Sequence, residues 1–470
     1  MDRKGFIMKI LILGGGTSGI FCALTLINNG YDGSKIIILD KGKMINKRIC
    51  FVNSETNCKK CKTCSIVNGV GGSGSYSDSK LNFDTSGRIG GNMYELMTQE
   101  EITEYLEKTY NIYKQFGIDN FKSPVYGLDI SNEAQEIVNK IHNNSKLDIG
   151  ECATLHLGSE NSRLVYKDMI DYLINNNVNI VSDIEVLTVD SDKKIVHTTK
   201  DNYSYDELVI AMGRSGNRLI KDICDTNDIQ YKTGAIDIGV RVECPDSIMK
   251  QLNDNFYECK IYFEGSFGDK ARMFCTNPSG FVTVENYKHN NIQLFTANGH
   301  AYRNKKSDNT NFAILVTRNF NEDCPNPLEN YAYPVIQSIN SLGKGSVILQ
   351  SLDDILSNRR STEERIKALD IIPTANVYKG DITSAMPFRT LTTIIEFLKE
   401  LDEIAPGIYG KNTLLYSPEA KFHANKVIID KYGRTSQNNI YCIGDCSGWC
   451  RGLTTACSMG ILCAEKILNK

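Results

Sequence analysis

The strongest constraint on the fold is a run near the N-terminus. Four apolar residues, Ile10–Leu13, lead into Gly14-Gly15-Gly16-Thr17-Ser18-Gly19, then an apolar helical stretch with Ala23 and Gly30, a second apolar run Ile36–Leu39, and Asp40. This reads as strand, tight turn, helix, strand and acid, the unit that holds a dinucleotide. Gly14 permits the turn and Gly16 lets backbone approach a pyrophosphate, while Gly19 lets helix and strand pack closely. The helix N-terminus, with Ser18 in its first turn, offers N–H groups to the phosphates. Asp40 stands 21 residues after Gly19, where a carboxylate accepts hydrogen bonds from the adenosine ribose. Lys41 beside it joins the expected binding set.

Near the C-terminus a strand, Ile440–Ile443, stops on Gly444-Asp445, an ending that suits a carboxylate reaching a sugar or ribityl hydroxyl. A third fragment, Leu208-Val209-Ile210-Ala211-Met212-Gly213, reads as a strand with an Ala-x-Gly turn. Together these resemble the two FAD fingerprints of the glutathione-reductase-type flavoprotein superfamily. The resemblance extends through Cys64–Leu81, His156–Leu164, Phe274-Cys275-Thr276-Asn277-Pro278-Ser279-Gly280 and Asn298-Gly299-His300, which are similar to a family of largely uncharacterised bacterial FAD-dependent dehydrogenases. It implies an α/β fold: a doubly wound FAD-binding Rossmann-type domain with an inserted α+β substrate domain. It also implies FAD as cofactor and an FAD-dependent oxidoreductase acting on a small organic substrate, and it names no substrate. Gly71, Gly72, Gly213, Gly444, Asp445, Gly452 and Arg48 complete the expected cofactor-binding set. The chain departs from the family pattern at Cys446 and Cys450.

At 470 residues and 41% apolar content the chain is long enough for two or three domains. The sequence places the FAD-binding domain at 1–214, with a Cys/Gly-rich insertion at 48–82, the substrate domain at 215–434, and the last strand and helix of the FAD-binding domain at 435–470. Helices are expected at Thr98–Phe116, Arg163–Asn175, Leu328–Ser341, Thr390–Ile404 and Thr454–Ile467. Strands are expected at Asn179–Val189, Lys194–Thr199, Gly239–Glu243, Gly280–Glu285, Asn291–Thr296 and Phe312–Thr317. A net charge of −3 argues against a nucleic-acid or anionic-membrane partner. No stretch reaches the ~18 apolar residues of a membrane span and no signal peptide is apparent, so a cytoplasmic location is expected.

Sixteen cysteines in a cytosolic chain are thiols, ligands or redox groups rather than disulfides. Cys50, Cys58, Cys61 and Cys64 fall within fifteen residues; four thiolates at these spacings suit a [4Fe–4S] cluster or tetrahedral zinc, with redox-active thiols or unligated cysteines as the alternatives. The same loop leads into a second GxGxxG match, Gly69–Gly74. That match lacks a preceding strand and a terminal acid, so it is expected to lie against the flavin ring rather than form another nucleotide domain. A nicotinamide donor, NAD(P)H, would then visit the substrate pocket and leave; a ferredoxin-type donor is the other option. Cys446 and Cys450 lie at the start of the last helix, where a helix N-terminus would lower a thiol pKa and make it reactive or ligating; the alternative is that they only pack. His300, Arg451, Asp78 and Lys80 are the expected catalytic groups, His300 by its intrinsic pKa. Two other classes fit the same FAD fold: a flavin- and folate-dependent RNA methyltransferase, disfavoured by the absence of a basic, aromatic-interleaved patch, and a non-catalytic flavin or thiol redox sensor.

Overall fold

The computed structural model describes residues 8–470 apart from 51–60, 78, 86–88, 122–124, 127–130, 145, 151–152, 290–291, 303–304, 321–323, 325 and 423–424. Two expected site residues, Cys58 and Asp78, lie outside the described residues. The chain divides into two compact units, one built from 1–124, 155–234 and 423–470, the other from 125–154 and 235–422.

The first unit is organised by a five-stranded parallel sheet. Its order is Ile440–Cys442, Glu207–Ile210, β1 (Ile10–Leu13), β2 (Ile36–Leu39) and Asn179–Val181. All four β1 residues are fully buried, as expected where helices cover both faces of a parallel sheet and the strand reads as an unbroken apolar run. Between β1 and β2 runs α1 (Thr17–Asn28), buried along almost its whole length. The helix Gln99–Gln115 starts at a capping box, in which Thr98 Oγ1 accepts from Glu101 N while Thr98 N donates to the Glu101 carboxylate.

The second unit is a largely antiparallel eight-stranded sheet centred on Ile236–Pro245, Asn309–Arg318 and Leu414–Phe422, with the helices Tyr333–Leu342 and Phe388–Leu401 contributing to its core. It takes in 125–154, which the sequence boundary at 215 assigns elsewhere. Strand Leu147–Gly150 pairs with Lys260–Phe263, and Ile137, Val138 and Ile141 of the helix Asn132–Asn143 join this unit's core. Segments 215–234 and 423–434 fall instead in the first unit, where Tyr231 and Lys232 pair with Val427 and Lys426.

Other elements shift for local reasons. The expected strand Asn179–Val189 is broken into Asn179–Val181 and Val186–Asp190, because Asp183 adopts φ +55° and its N–H donates to Gly42 O at 2.9 Å. The helix expected at Arg163–Asn175 begins four residues earlier, at Ser159. Leu328–Ala332 forms a π-helical turn before the α-helix starts at Tyr333. Among the described residues no helix is long and apolar enough to cross a membrane.

Tyr205, in the first unit, yields a pH prediction. It is 3% exposed, its hydroxyl has no hydrogen-bond partner, and burial, with Asp190 adding, pushes its pKa up to about 12. A folded-state pKa above the unfolded ~10 means that the native state binds more protons across this window. Stability is therefore fully present below pH ~10 and falls as pH rises toward 12. Urea unfolding of Tyr205→Phe is expected to match or exceed wild-type stability at pH 8, because an orphaned buried hydroxyl is removed. Between pH 8 and 11.5 the variant should lose less than wild type, by on the order of 2 kcal/mol. Equal losses in the two proteins would remove Tyr205 as the titrating group.

Candidate dinucleotide cradle

The cradle is built where β1 ends. Gly14 takes φ +109°, and a Cβ there would sit 2.3 Å from Ala211 O; its N–H donates to Leu39 O at 2.7 Å. A Cβ on Gly19 would fall 2.2 Å from Gly14 O, so the helix can begin directly against the turn only without a side chain. Gly16 precedes α1 in extended conformation, with no side-chain cap and no acidic residue in the first turn. A Cβ there would meet only Gly72 Cα, at 3.8 Å. This leaves the helix N-terminus uncapped by protein side chains, the electrostatic setting that favours an anion.

Asp40 is 8% exposed and both of its oxygens already accept backbone N–H bonds, Oδ2 from Gly15 at 2.9 Å and Oδ1 from Gly42 at 2.8 Å. Burial raises its pKa, opposed by those two N–H groups and by the charges of Arg48 and Lys41. Asp40 therefore locks the end of β2 onto the glycine turn, and each oxygen keeps a lone pair for a ribose hydroxyl. Lys41, its pKa lowered by burial, donates to Ser215 O at 3.4 Å.

The second glycine run packs on the first. Gly71 N donates to Gly15 O at 2.8 Å, and a Cβ on Gly72 would lie 2.9 Å from Gly16 Cα. The sequence reading attributes these glycines to the flavin ring; the contacts that demand them here are with the first glycine turn. The run leads into a short 3-10 turn, Gly74–Tyr76, and is not a second nucleotide-binding unit. Arg48, fully buried, holds this loop from within. Its guanidinium donates to the carbonyls of Ser65, Ile66 and Val70 at 3.0–3.1 Å, to Gly69 O at 3.4 Å and to Ser75 Oγ at 2.9 Å, and burial lowers its pKa to about 10. These bonds give Arg48 a part in folding the glycine loop beside the cofactor contact expected of it.

Gly444, at φ +72°, follows the last strand, and a Cβ there would sit 2.3 Å from Ser18 Oγ. The two ends of the chain thus meet on the first turn of α1. Asp445 follows Gly444 in a short 3-10 turn. Gly213 (φ +64°) has open space where a Cβ would be. Gly452 stands at the N-terminus of the last helix, Leu453–Leu468, with its N–H donating to Gly90 O at 3.0 Å.

One of the two thiol expectations changes, that for Cys450. Cys446 is buried, its Sγ directed at Ile443 O and Ile210 O, at 3.2 and 3.5 Å. Cys450 is 1% exposed, and burial pushes its pKa up, where the position beside a helix N-terminus suggested a lowered one. Desolvation of the thiolate outweighs the helix end. Cys50 and Cys61 are exposed and Cys64 is half-buried. Among the described residues no three His, Cys, Asp or Glu side chains converge as metal ligands; the fourth expected ligand, Cys58, lies outside them.

Lys80 and Arg451 belong to the first unit and His300 to the second. Lys80 is buried at the start of strand Lys80–Phe83, and His300 ends strand Ile292–His300 opposite Phe281. Sequence reasoning missed Tyr166 and Tyr113. Their hydroxyls form a buried chain beneath the cradle, Thr17 Oγ1 to Tyr166 OH at 2.8 Å and Tyr166 OH to Tyr113 OH at 3.2 Å. Both tyrosines occupy ordinary core positions of their helices, so no local pattern separates them from packing residues.

No family model matches the chain. An uncharacterised protein of Clostridium beijerinckii is 24% identical over 484 aligned positions, covering 98% of this chain and 80% of that protein. Similar solved structures include glycine oxidase from Geobacillus kaustophilus, at 10% identity and TM-score 0.40, covering 98% of this chain and 95% of that one. L-proline dehydrogenase from P. horikoshii aligns at 11% identity and TM-score 0.39, covering 98% and 93%. 2-Methyl-3-hydroxypyridine-5-carboxylic acid oxygenase aligns at 10% identity and TM-score 0.37, covering 98% and 83%.

Proposed function

We propose that the first unit binds FAD and that the protein is an FAD-dependent oxidoreductase acting on a small organic substrate. The observation that carries this reading is the seating of Gly444 on Ser18. It brings the end of the C-terminal strand, with Asp445 next in sequence, to the uncapped N-terminus of α1, and a nicotinamide dinucleotide alone has no use for that second acidic strand end. The first-turn N–H groups of α1 bind the pyrophosphate, Asp40 accepts from the adenosine ribose, and Asp445 accepts from the ribityl chain. Backbone at Gly16 admits the phosphates where a side chain would exclude them. When bound, FAD supplies the transfer of electrons to or from the substrate. Lys80 and Arg451, in the same unit, contribute positive potential for the reduced ring. The electron donor would be a visiting nicotinamide, NAD(P)H, or a ferredoxin-type partner, and Cys50, Cys58, Cys61 and Cys64 would hold iron and sulfide if their loop binds a cluster.

The test is an absorption spectrum of anaerobically purified protein with iron and zinc analysis. Flavin bands near roughly 370 and 450 nm, bleached by a reductant, are expected for an isoalloxazine cofactor. About four irons per chain would assign the cysteine loop to a cluster; flavin without iron would remove the cluster. Protein that takes up no FAD on reconstitution would overturn the reading.

A further inference from the structure

The second unit contains a group of fully buried polar side chains whose hydrogen bonding is incomplete. Strand Ile236–Pro245 alternates, with Ile236, Ile238, Val240, Val242 and Cys244 in the apolar core and Asp237, Arg241 and Glu243 equally buried between them. Asp237 pairs with Arg272 and accepts from Thr317. Glu243, its pKa raised by burial, accepts from Asn309, Thr374 and Tyr416. Arg241 is different. Its Nε donates to Asn311 Oδ1 at 2.9 Å and its Nη2 to Cys275 O at 2.8 Å, but Nη1 lies 3.5 Å from Glu419 Oε2 without hydrogen-bond alignment. Glu419, 0% exposed, has Lys421 Nζ 3.2 Å from Oε1, again unaligned, so neither carboxylate oxygen accepts a hydrogen bond. Asn311 Nδ2 likewise has no acceptor. Gly299 closes over the group: a Cβ there would fall 2.0 Å from Arg241 Nη2 and 2.1 Å from Asn311 Oδ1.

Buried polar atoms are almost always paired, and leaving one unpaired is costly. Here four such atoms, two nitrogens and two oxygens, belong to Arg241 and to the two side chains, Asn311 and Glu419, that meet it. Arg241 Nη1 and Asn311 Nδ2 can only donate, so they call for an acceptor; a planar guanidinium matches a carboxylate best. Glu419 can only accept, so it calls for an N–H or O–H. Two cations, Arg241 and Lys421, face the single carboxylate of Glu419. We propose that Arg241, Asn311 and Glu419 form a binding site for a small carboxylate carrying a hydrogen-bond donor on the adjacent carbon, an α-amino or α-hydroxy acid.

The site goes beyond the flavin reading and is tested without it, by calorimetric titration of the full chain whatever its flavin content. The probes are glycolate and glycine, with acetate as the acid lacking a donor and methylamine as the donor lacking an acid. Glycolate or glycine should bind at least tenfold more tightly than acetate or methylamine. Glu419→Gln, nearly isosteric, should erase that preference, and Arg241→Lys should weaken binding of the preferred acid tenfold or more. Absence of binding by both glycolate and glycine, equal binding of acetate, or an unchanged preference in Glu419→Gln would overturn the proposal. So would a glycolate-soaked crystal structure in which ordered waters alone meet the four atoms. Should Arg241→Lys not fold, Glu419→Gln alone still decides.

Discussion

Arg48→Met is expected to destabilise the first unit by ~3–5 kcal/mol and to abolish flavin retention. The guanidinium is fully buried and its donors reach four backbone carbonyls and one hydroxyl between Ser65 and Ser75. Removing it strands the buried acceptors at Gly69, Val70 and Ser75 and the half-buried ones at Ser65 and Ile66, each buried one at a cost of ~1–3 kcal/mol if left unmade, and relaxation of the loop would recover part of that. Arg48 also braces its own neighbourhood: its guanidinium lies 4.4 Å from the Tyr76 ring centroid, with Arg163 on the same ring at 5.1 Å, and the Tyr76 hydroxyl donates to Arg48 O. Lysine would not substitute, because a single ammonium cannot reproduce a planar fork that spans several carbonyls. Urea unfolding followed by circular dichroism, with flavin content measured on the same preparations, checks the prediction. Arg48→Lys retaining both wild-type stability and flavin would show that the charge, and not the fork, holds the loop.

The strand–turn–helix–strand unit with its acid was legible because its residues are constrained within about thirty positions of one another: strand, turn, helix and acid are all local. What the sequence leaves hidden is long-range. From sequence, the Gly69–Gly74 run reads as backbone lying against the flavin ring, where side chains would collide, and Arg48 as part of the same cofactor-binding set. Only the fold shows that this arginine gathers the carbonyls of a loop some twenty residues downstream, and that Gly71 and Gly72 are required by Gly15 and Gly16. The Arg241 cluster was illegible for another reason. Asp237, Gly239, Arg241 and Glu243 alternate with apolar residues, a pattern that ordinarily marks a solvent-facing strand surface. In the structure that surface is buried, with Gly299 of the hairpin Phe281–His300 lying directly against Arg241. Segment 125–154 falls in the second unit, where its strand Leu147–Gly150 pairs with Lys260–Phe263, more than a hundred residues away, and nothing near it in sequence announces that partner.

Gly444→Ala is expected to lower FAD affinity tenfold or more, ~1.4 kcal/mol, without preventing the protein from folding. The substitution has two separable costs. At φ +72° any side chain brings a backbone penalty of ~1–2 kcal/mol. The new methyl would also meet Ser18 Oγ at 2.3 Å and Ser18 Cβ at 3.0 Å, which forces the first turn of α1 and the end of the C-terminal strand apart. That displacement falls on the two elements proposed to hold the pyrophosphate and the ribityl chain, so ligand affinity should suffer more than global stability. Ser18→Ala relieves the shorter contact and leaves the backbone penalty untouched. The double variant Ser18→Ala/Gly444→Ala should therefore recover part of the lost affinity but not all of it, a non-additivity expected only of groups in contact. Equilibrium FAD titration of the wild type, both single variants and the double variant gives the coupling directly. Strict additivity would mean that strand and helix do not press on each other at this point, and the observation that most favours FAD as cofactor would lose its force.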